Sequence, residues 1–194
     1  MRTPDLVVSL SFLRKGGSVI PNFKNFKNIH LVGLSSVEGA TMASFLFRQK
    51  VPFIAHDFSS SETFWSHFSE AHIALSLQEK KTLFLELQKA PQQIHFQSEY
   101  LQGIQSADAI FVGQNWKNYP QNHPVLSQRK TDGVPFFTLM ELYFACSPAP
   151  ICGISGTNGK TTTTNWLRTI LQSHVPCLQG GNDLFQPQCL HQLN

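Results

Sequence analysis

The chain has 194 residues, 41% of them hydrophobic and 14% charged, and a formal net charge of +3 at pH 7. That is apolar material enough for one domain, or one domain and part of another, and it excludes a disordered polyelectrolyte. The basic residues are scattered as Arg14-Lys15, Lys24, Lys27, Lys80-Lys81 and Arg129-Lys130, which reads as a solvated surface and not as a nucleic-acid footprint.

Residues 1–28 form a polar-apolar leader too irregular to assign. Its apolar start has an acidic residue before it and basic ones after it, the reverse of a signal peptide. Residues 29–33 are a short apolar run ending in glycine and read as a buried strand. Residues 38–49 carry helical spacing, and 51–57 form a second strand ending in Asp57. Residues 61–89 read as one helix, opened by Ser60 or Ser61 and closed before Pro91. Its aromatics Phe64, Trp65 and Phe68 are spaced as core residues. Strands follow at 94–96, 109–113 and 134–137, then a short helix over 138–144 and the linker Ser147-Pro148-Ala149-Pro150. A sixth strand, 151–155, runs straight into a glycine-rich loop. Strands alternating with helices predict an α/β fold with a parallel sheet and a domain boundary near Ser147.

No apolar run reaches the roughly 18 residues needed to cross a bilayer, so no membrane contact is expected. The cysteines Cys146, Cys152, Cys177 and Cys189 show no C-x-x-C spacing and read as free thiols of a reducing cytoplasmic compartment. The eight histidines, no two of them at i, i+4, read as ordinary surface or core residues rather than metal ligands.

The strongest chemical signal is Gly156-Thr157-Asn158-Gly159-Lys160-Thr161-Thr162-Thr163-Thr164, placed between a predicted strand and a predicted helix over 162–171. Glycines let backbone N–H groups converge on phosphate oxygens, and the helix N-terminus adds partial positive charge. Lys160 would neutralise the β- and γ-phosphates of ATP, and the Thr161 hydroxyl would bind Mg²⁺. Ile154 stands where the strict P-loop pattern wants glycine. Four consecutive threonines are poor helix formers, so a purely structural reason for them is weak.

This loop resembles the ATP loop of the Mur ligase family, which shares it with folylpolyglutamate synthases and cyanophycin synthetases. Those enzymes join an amino acid to a carboxylate by way of an acyl phosphate, with ATP becoming ADP. The resemblance extends to Ala107-Asp108-Ala109-Ile110-Phe111-Val112, similar to the strand closing the family's uridine-nucleotide domain. It also includes Gly133-Val134-Pro135-Phe136-Phe137 with Met140-Glu141-Leu142, similar to the passage into the ATP domain. Gly180-Gly181-Asn182 is similar to a turn of the D-glutamate-adding branch, and Asn158 stands where the L-alanine-adding branch carries histidine.

The resemblance implies a leader over 1–28, a Rossmann-like uridine-substrate domain over 29–147, and from 148 the beginning of a P-loop ATPase-type central domain, incomplete at 194. It implies UDP-N-acetylmuramoyl-L-alanine and D-glutamate as substrates of the parent enzyme. Ser35 and Ser36 would face the uridine diphosphate. Asp57 would read ribose or base hydroxyls, unless it is a strand-end or capping aspartate. Asn182 would contact the muramoyl side, while Gly156, Thr157, Asn158, Gly159 and Thr162 would line the phosphate loop and Lys160 would stabilise the transferring phosphoryl group.

Two stretches depart from the family. Ser35 and Glu38 stand where the first loop's glycines would be, and Gly113-Gln114-Asn115 replaces the usual Ser-Pro-Gly. Only 33 residues follow Thr161, and the family's acidic metal ligand, modified lysine and amino-acid-binding domain have no counterpart in them. The expectation is that this chain does not complete a ligation alone. Alternatives are a non-catalytic nucleotide-binding relative and another amino-acid-adding ligase of the family. An NAD-dependent oxidoreductase rests only on the first strand–glycine–helix–strand–aspartate pattern.

Overall fold

The computed structural model describes residues 9–13, 22–72, 75–89, 94–147 and 149–180. Five strands form one all-parallel sheet: β2 (Ile29–Val32), β3 (Ile54–Asp57), β4 (Ile94–Phe96), β5 (Ala109–Val112) and β6 (Phe136–Phe137), in the order β4-β3-β2-β5-β6. The fold is therefore α/β and Rossmann-like. The chain enters at the central strand, builds outward through β3 and β4, then crosses back to β5. Every residue of β2 and of β5 is buried, as parallel strands covered on both faces require.

On one face lie α1 (Val37–Arg48), α2 (Ser61–Ala71), α3 (Leu77–Leu87) and α5 (Leu139–Cys146), packed over Ile29, Leu31, Ala55, Ala109 and Phe111. Phe23, in the leader, plugs this core and meets Phe45, Phe111 and Phe137 edge-on at centroid distances of 5.8, 5.5 and 5.2 Å. Phe64 and Phe68 are fully buried here, with Trp65 packed beside them. The other face is covered by α4 (His123–Thr131) and short 3-10 turns, which place Leu101, Ile104, Trp116 and Leu126 over Val32, Ile110 and Val112.

The single helix expected over 61–89 is two helices. α2 ends at His72, and Ser76 starts α3 through a reciprocal cap: its hydroxyl accepts from Glu79 N–H (3.3 Å) while the Glu79 carboxylate accepts from Ser76 N–H (2.8 Å). Helix α4 was not legible from spacing, because it buries one residue, Leu126.

The leader supplies β1 (Ser9–Leu13), which pairs antiparallel with β7 (Ile151–Ser155) from Ser9↔Ser155 to Leu13↔Ile151. These two strands form a sheet of their own. Helix α6 (Lys160–Gln172) follows β7 and buries none of its residues; Trp166 and Ile170 are 70% and 61% exposed. No helix among the described residues is long and apolar enough to cross a membrane.

Three buried histidines stack across the parallel sheet. The rings of His30 and His56 lie 5.0 Å apart and those of His56 and His95 5.2 Å apart, both nearly parallel. Leu101 N–H donates to His56 Nδ1 (3.2 Å), so the His56 proton sits on Nε2 and is donated to His30 Nδ1 at 2.7 Å. The His30 proton is then on Nε2, which has no hydrogen-bond partner among the described residues.

Burial, reinforced by His95 and Arg129 and opposed by Asp108, lowers the His30 pKa from 6.5 to about 4. Burial and the two neighbouring histidines push His56 lower still. Below pH 6.5 the unfolded chain therefore takes up protons that the folded chain refuses. Stability present at pH 7 and above is lost as the pH falls toward 4, by about 2 kcal/mol for each of His30 and His56 between pH 7 and pH 5. Urea denaturation at those two pH values checks this, and His30→Phe is expected to flatten the dependence.

Candidate functional site

Of the loops that follow a strand and open a helix, those before α1 and α6 differ in what they leave free. In the second, Gly159 is the N-cap of α6 in the left-handed region (φ +78°), a conformation that favours glycine, and no side chain caps the helix. Lys160 folds back over the loop, its Nζ donating to Gly156 O (2.6 Å) and Thr157 O (3.1 Å). Thr157, Asn158, Gly159, Lys160, Thr161 and Thr162 are exposed, and the hydroxyls of Thr161 and Thr162 bond to no described residue. The turn thus gathers Gly156, Thr157, Asn158, Gly159, Lys160, Thr161 and Thr162 as one surface of uncapped amides, a cation and free hydroxyls. That donor set fits a nucleoside triphosphate with Mg²⁺: phosphate on the helix amides and Lys160, the metal on Thr161. Asn182 lies outside the described residues.

The first loop joins β2 to α1 at the switch point between β2 and β5, the crevice in which parallel α/β sheets bind ligands. Ser35, Ser36 and Asp57 meet here. The Asp57 carboxylate is 2% exposed and accepts from Ser35 N–H (2.7 Å), the Ser35 hydroxyl (2.9 Å) and Ser59 N–H (2.9 Å). It therefore holds the loop shut from beneath. Ser36 caps α1, its hydroxyl accepting from Gly39 N–H (3.0 Å) and donating to Gly33 O (2.7 Å). Gly33 and Leu34 donate to His56 O, at 2.8 and 3.3 Å, and Ser36 N–H donates to Gly33 O.

Sequence reasoning missed three features of this crevice. Gly39, and not position 38, does the work of the close-packing glycine: a Cβ there would stand 1.9 Å from Gly33 O. Glu38 reaches across the switch point to accept from Gln114 N–H at 2.7 Å. The rings of Phe58 and Tyr100 stack at 3.9 Å with Tyr119 at 6.0 Å, making a partly exposed aromatic ledge from the segments after β3, β4 and β5. A glycine one residue later than the motif was a usable signal for the first; the other two join distant segments and left none.

Over 52 residues, 27% of its length, the chain is 44% identical to UDP-N-acetylmuramoylalanine--D-glutamate ligase of Streptococcus pneumoniae. Over 55 residues, 28% of its length, it is 44% identical to the proteins of that name from Listeria monocytogenes and Listeria innocua. The matched segment spans 12% of the length of each of these curated relatives. No protein-family model matches the chain. The resemblance to the Mur ligases, and among them to the D-glutamate-adding enzymes, holds over that segment.

Gly39→Ala is expected to cost more than about 3 kcal/mol, since the clash is with backbone, whereas Gly133→Ala, with open space around its Cβ and only φ +83° to strain it, costs about 1 kcal/mol. Asp57→Ala strands the loop's donors and costs about 3 kcal/mol. Chemical denaturation of the three variants checks the ranking.

Proposed function

We infer that this chain is part of an ATP-dependent ligase of peptidoglycan precursor synthesis. The parent reaction joins D-glutamate to UDP-N-acetylmuramoyl-L-alanine, with the uridine substrate on the parallel-sheet domain and ATP on the loop after β7. The observation that carries the reading is the uncapped, glycine-started N-terminus of α6 with Lys160 poised over its own loop carbonyls. A helix start that has no protein side chain to satisfy its amides is suited to a phosphate. The likeness to named D-glutamate ligases supports the choice of reaction class.

When bound, ATP supplies the phosphoryl group that activates a carboxylate for attack by an amine. The residues of this chain grip and orient. The amides at the start of α6 hold phosphate oxygens, Lys160 leaves Gly156 O and Thr157 O to neutralise them, and the Thr161 hydroxyl holds Mg²⁺. We propose that these residues bind the nucleotide, as one part of what the parent ligation needs.

Calorimetric titration with ATP and Mg²⁺ is expected to show saturable binding that Lys160→Ala weakens at least ten-fold and chelation of Mg²⁺ reduces. Equal affinity of the wild type and Lys160→Ala would remove the phosphate-loop reading. Titration with UDP-N-acetylmuramoyl-L-alanine against UDP-N-acetylmuramate tests the branch: preference for the alanine-bearing compound supports D-glutamate addition, and preference for the other points to a different ligase of the family.

A further inference from the structure

The two departures from the family pattern, Glu38 in the first loop and Gly113-Gln114-Asn115 after β5, are in contact. The Glu38 carboxylate spans the switch point and accepts the Gln114 N–H at 2.7 Å, 76 residues away in sequence. Gly113 makes the room, for a Cβ there would sit 2.9 Å from Glu38 Oε2. Five more amides of the crevice are also spent inside the protein. Those of Gly33 and Leu34 go to His56 O, Ser35 to Asp57, Ser36 to Gly33 O and Gly39 to the Ser36 hydroxyl. In dinucleotide-binding folds this crevice receives the ligand's pyrophosphate. Here a carboxylate from the first turn of α1 bridges it, with favourable placement at the helix N-terminus.

We propose that Glu38 is an internal anion that a ligand's diphosphate must displace, and so the residue that sets how well the first domain discriminates between nucleoside and nucleoside diphosphate. This rests on the reading of that domain as the uridine-substrate site. A diphosphate entering the crevice meets a like charge and an amide already occupied. A neutral nucleoside, with no charge to place there, is indifferent to Glu38. The Asp57 carboxylate, buried beneath the loop and bonded to Ser35 and Ser59, stays in place in either case.

The test titrates the full chain, as wild type, Glu38→Gln and Glu38→Ala, with UDP and with uridine. At least one variant is expected to bind UDP ten-fold or more tightly than the wild type, with uridine affinity changed less than two-fold. Raising the salt concentration is expected to narrow the gap, as screening of a charge effect demands. An equal gain for uridine would overturn the charge basis of the proposal, because a merely structural loosening of the loop would favour both ligands. Unchanged or weaker UDP binding in both variants would overturn it as well. If the wild type binds UDP as tightly as the variants do, the proposal fails while the uridine site stands. If no form binds UDP, both fail, and the ATP loop is judged on its own titration. Thermal melting of both variants shows whether each is folded, and either one suffices for the comparison.

Discussion

The approach of α1 to the end of β2 is the constraint on which the rest of the larger sheet depends. Gly39 lies so close to Gly33 that no side chain fits between them. That contact fixes where α1 starts, and therefore where Ser36 caps it and where Glu38 points. It also presses the β2–α1 loop down onto the end of β3, where Asp57 takes its amide and hydroxyl. The aliphatic and aromatic face of α1, from Ala40 to Leu46, is then delivered onto the core built by Phe23, Phe64 and Phe111. One missing Cβ thus connects backbone geometry, packing and the shape of the crevice.

The same local plan, strand then glycine turn then helix, is used twice with opposite polar outcomes. Around the start of α1 the protein answers the amides of Gly39, Ser35 and Gln114 with Ser36, Asp57 and Glu38, before any ligand arrives. At α6 no described side chain caps the helix, and the Lys160 ammonium is held by two loop carbonyls. Buried polar groups must find partners, but exposed ones can wait for a ligand. The difference in burial between the two turns makes the difference in chemistry possible.

The histidine ladder shows the cost of crossing a parallel sheet with polar side chains. Burial holds His30 and His56 neutral near pH 7, and the chain of hydrogen bonds ends at a nitrogen with no partner among the described residues, while His95 at the edge strand lies 3.5 Å from the Glu99 carboxylate. Stacking recovers part of what desolvation takes. Spacing gave no hint of this cluster, because the three residues come from three strands and only the parallel register brings them together.

Much of the fold was legible because it is written locally. The apolar run at Ile29–Val32, the strand at Ala109–Val112 and the helix after Gly159 follow from periodicity and from glycine placement, which depend on neighbouring residues alone. The break at Ser76 was also local, and lay in a serine–glutamate cap hidden by a continuous helical pattern. For the candidate site, the sequence alone determined the glycine turn that opens α6, since its backbone geometry is a property of a few consecutive residues. Only the tertiary structure decided that the leader pairs with β7, that Asp57 is spent on the Ser35 loop, and that Glu38 lies on Gln114. Those contacts join segments far apart in the chain, and their energies depend on burial and register that exist only once the sheet has formed.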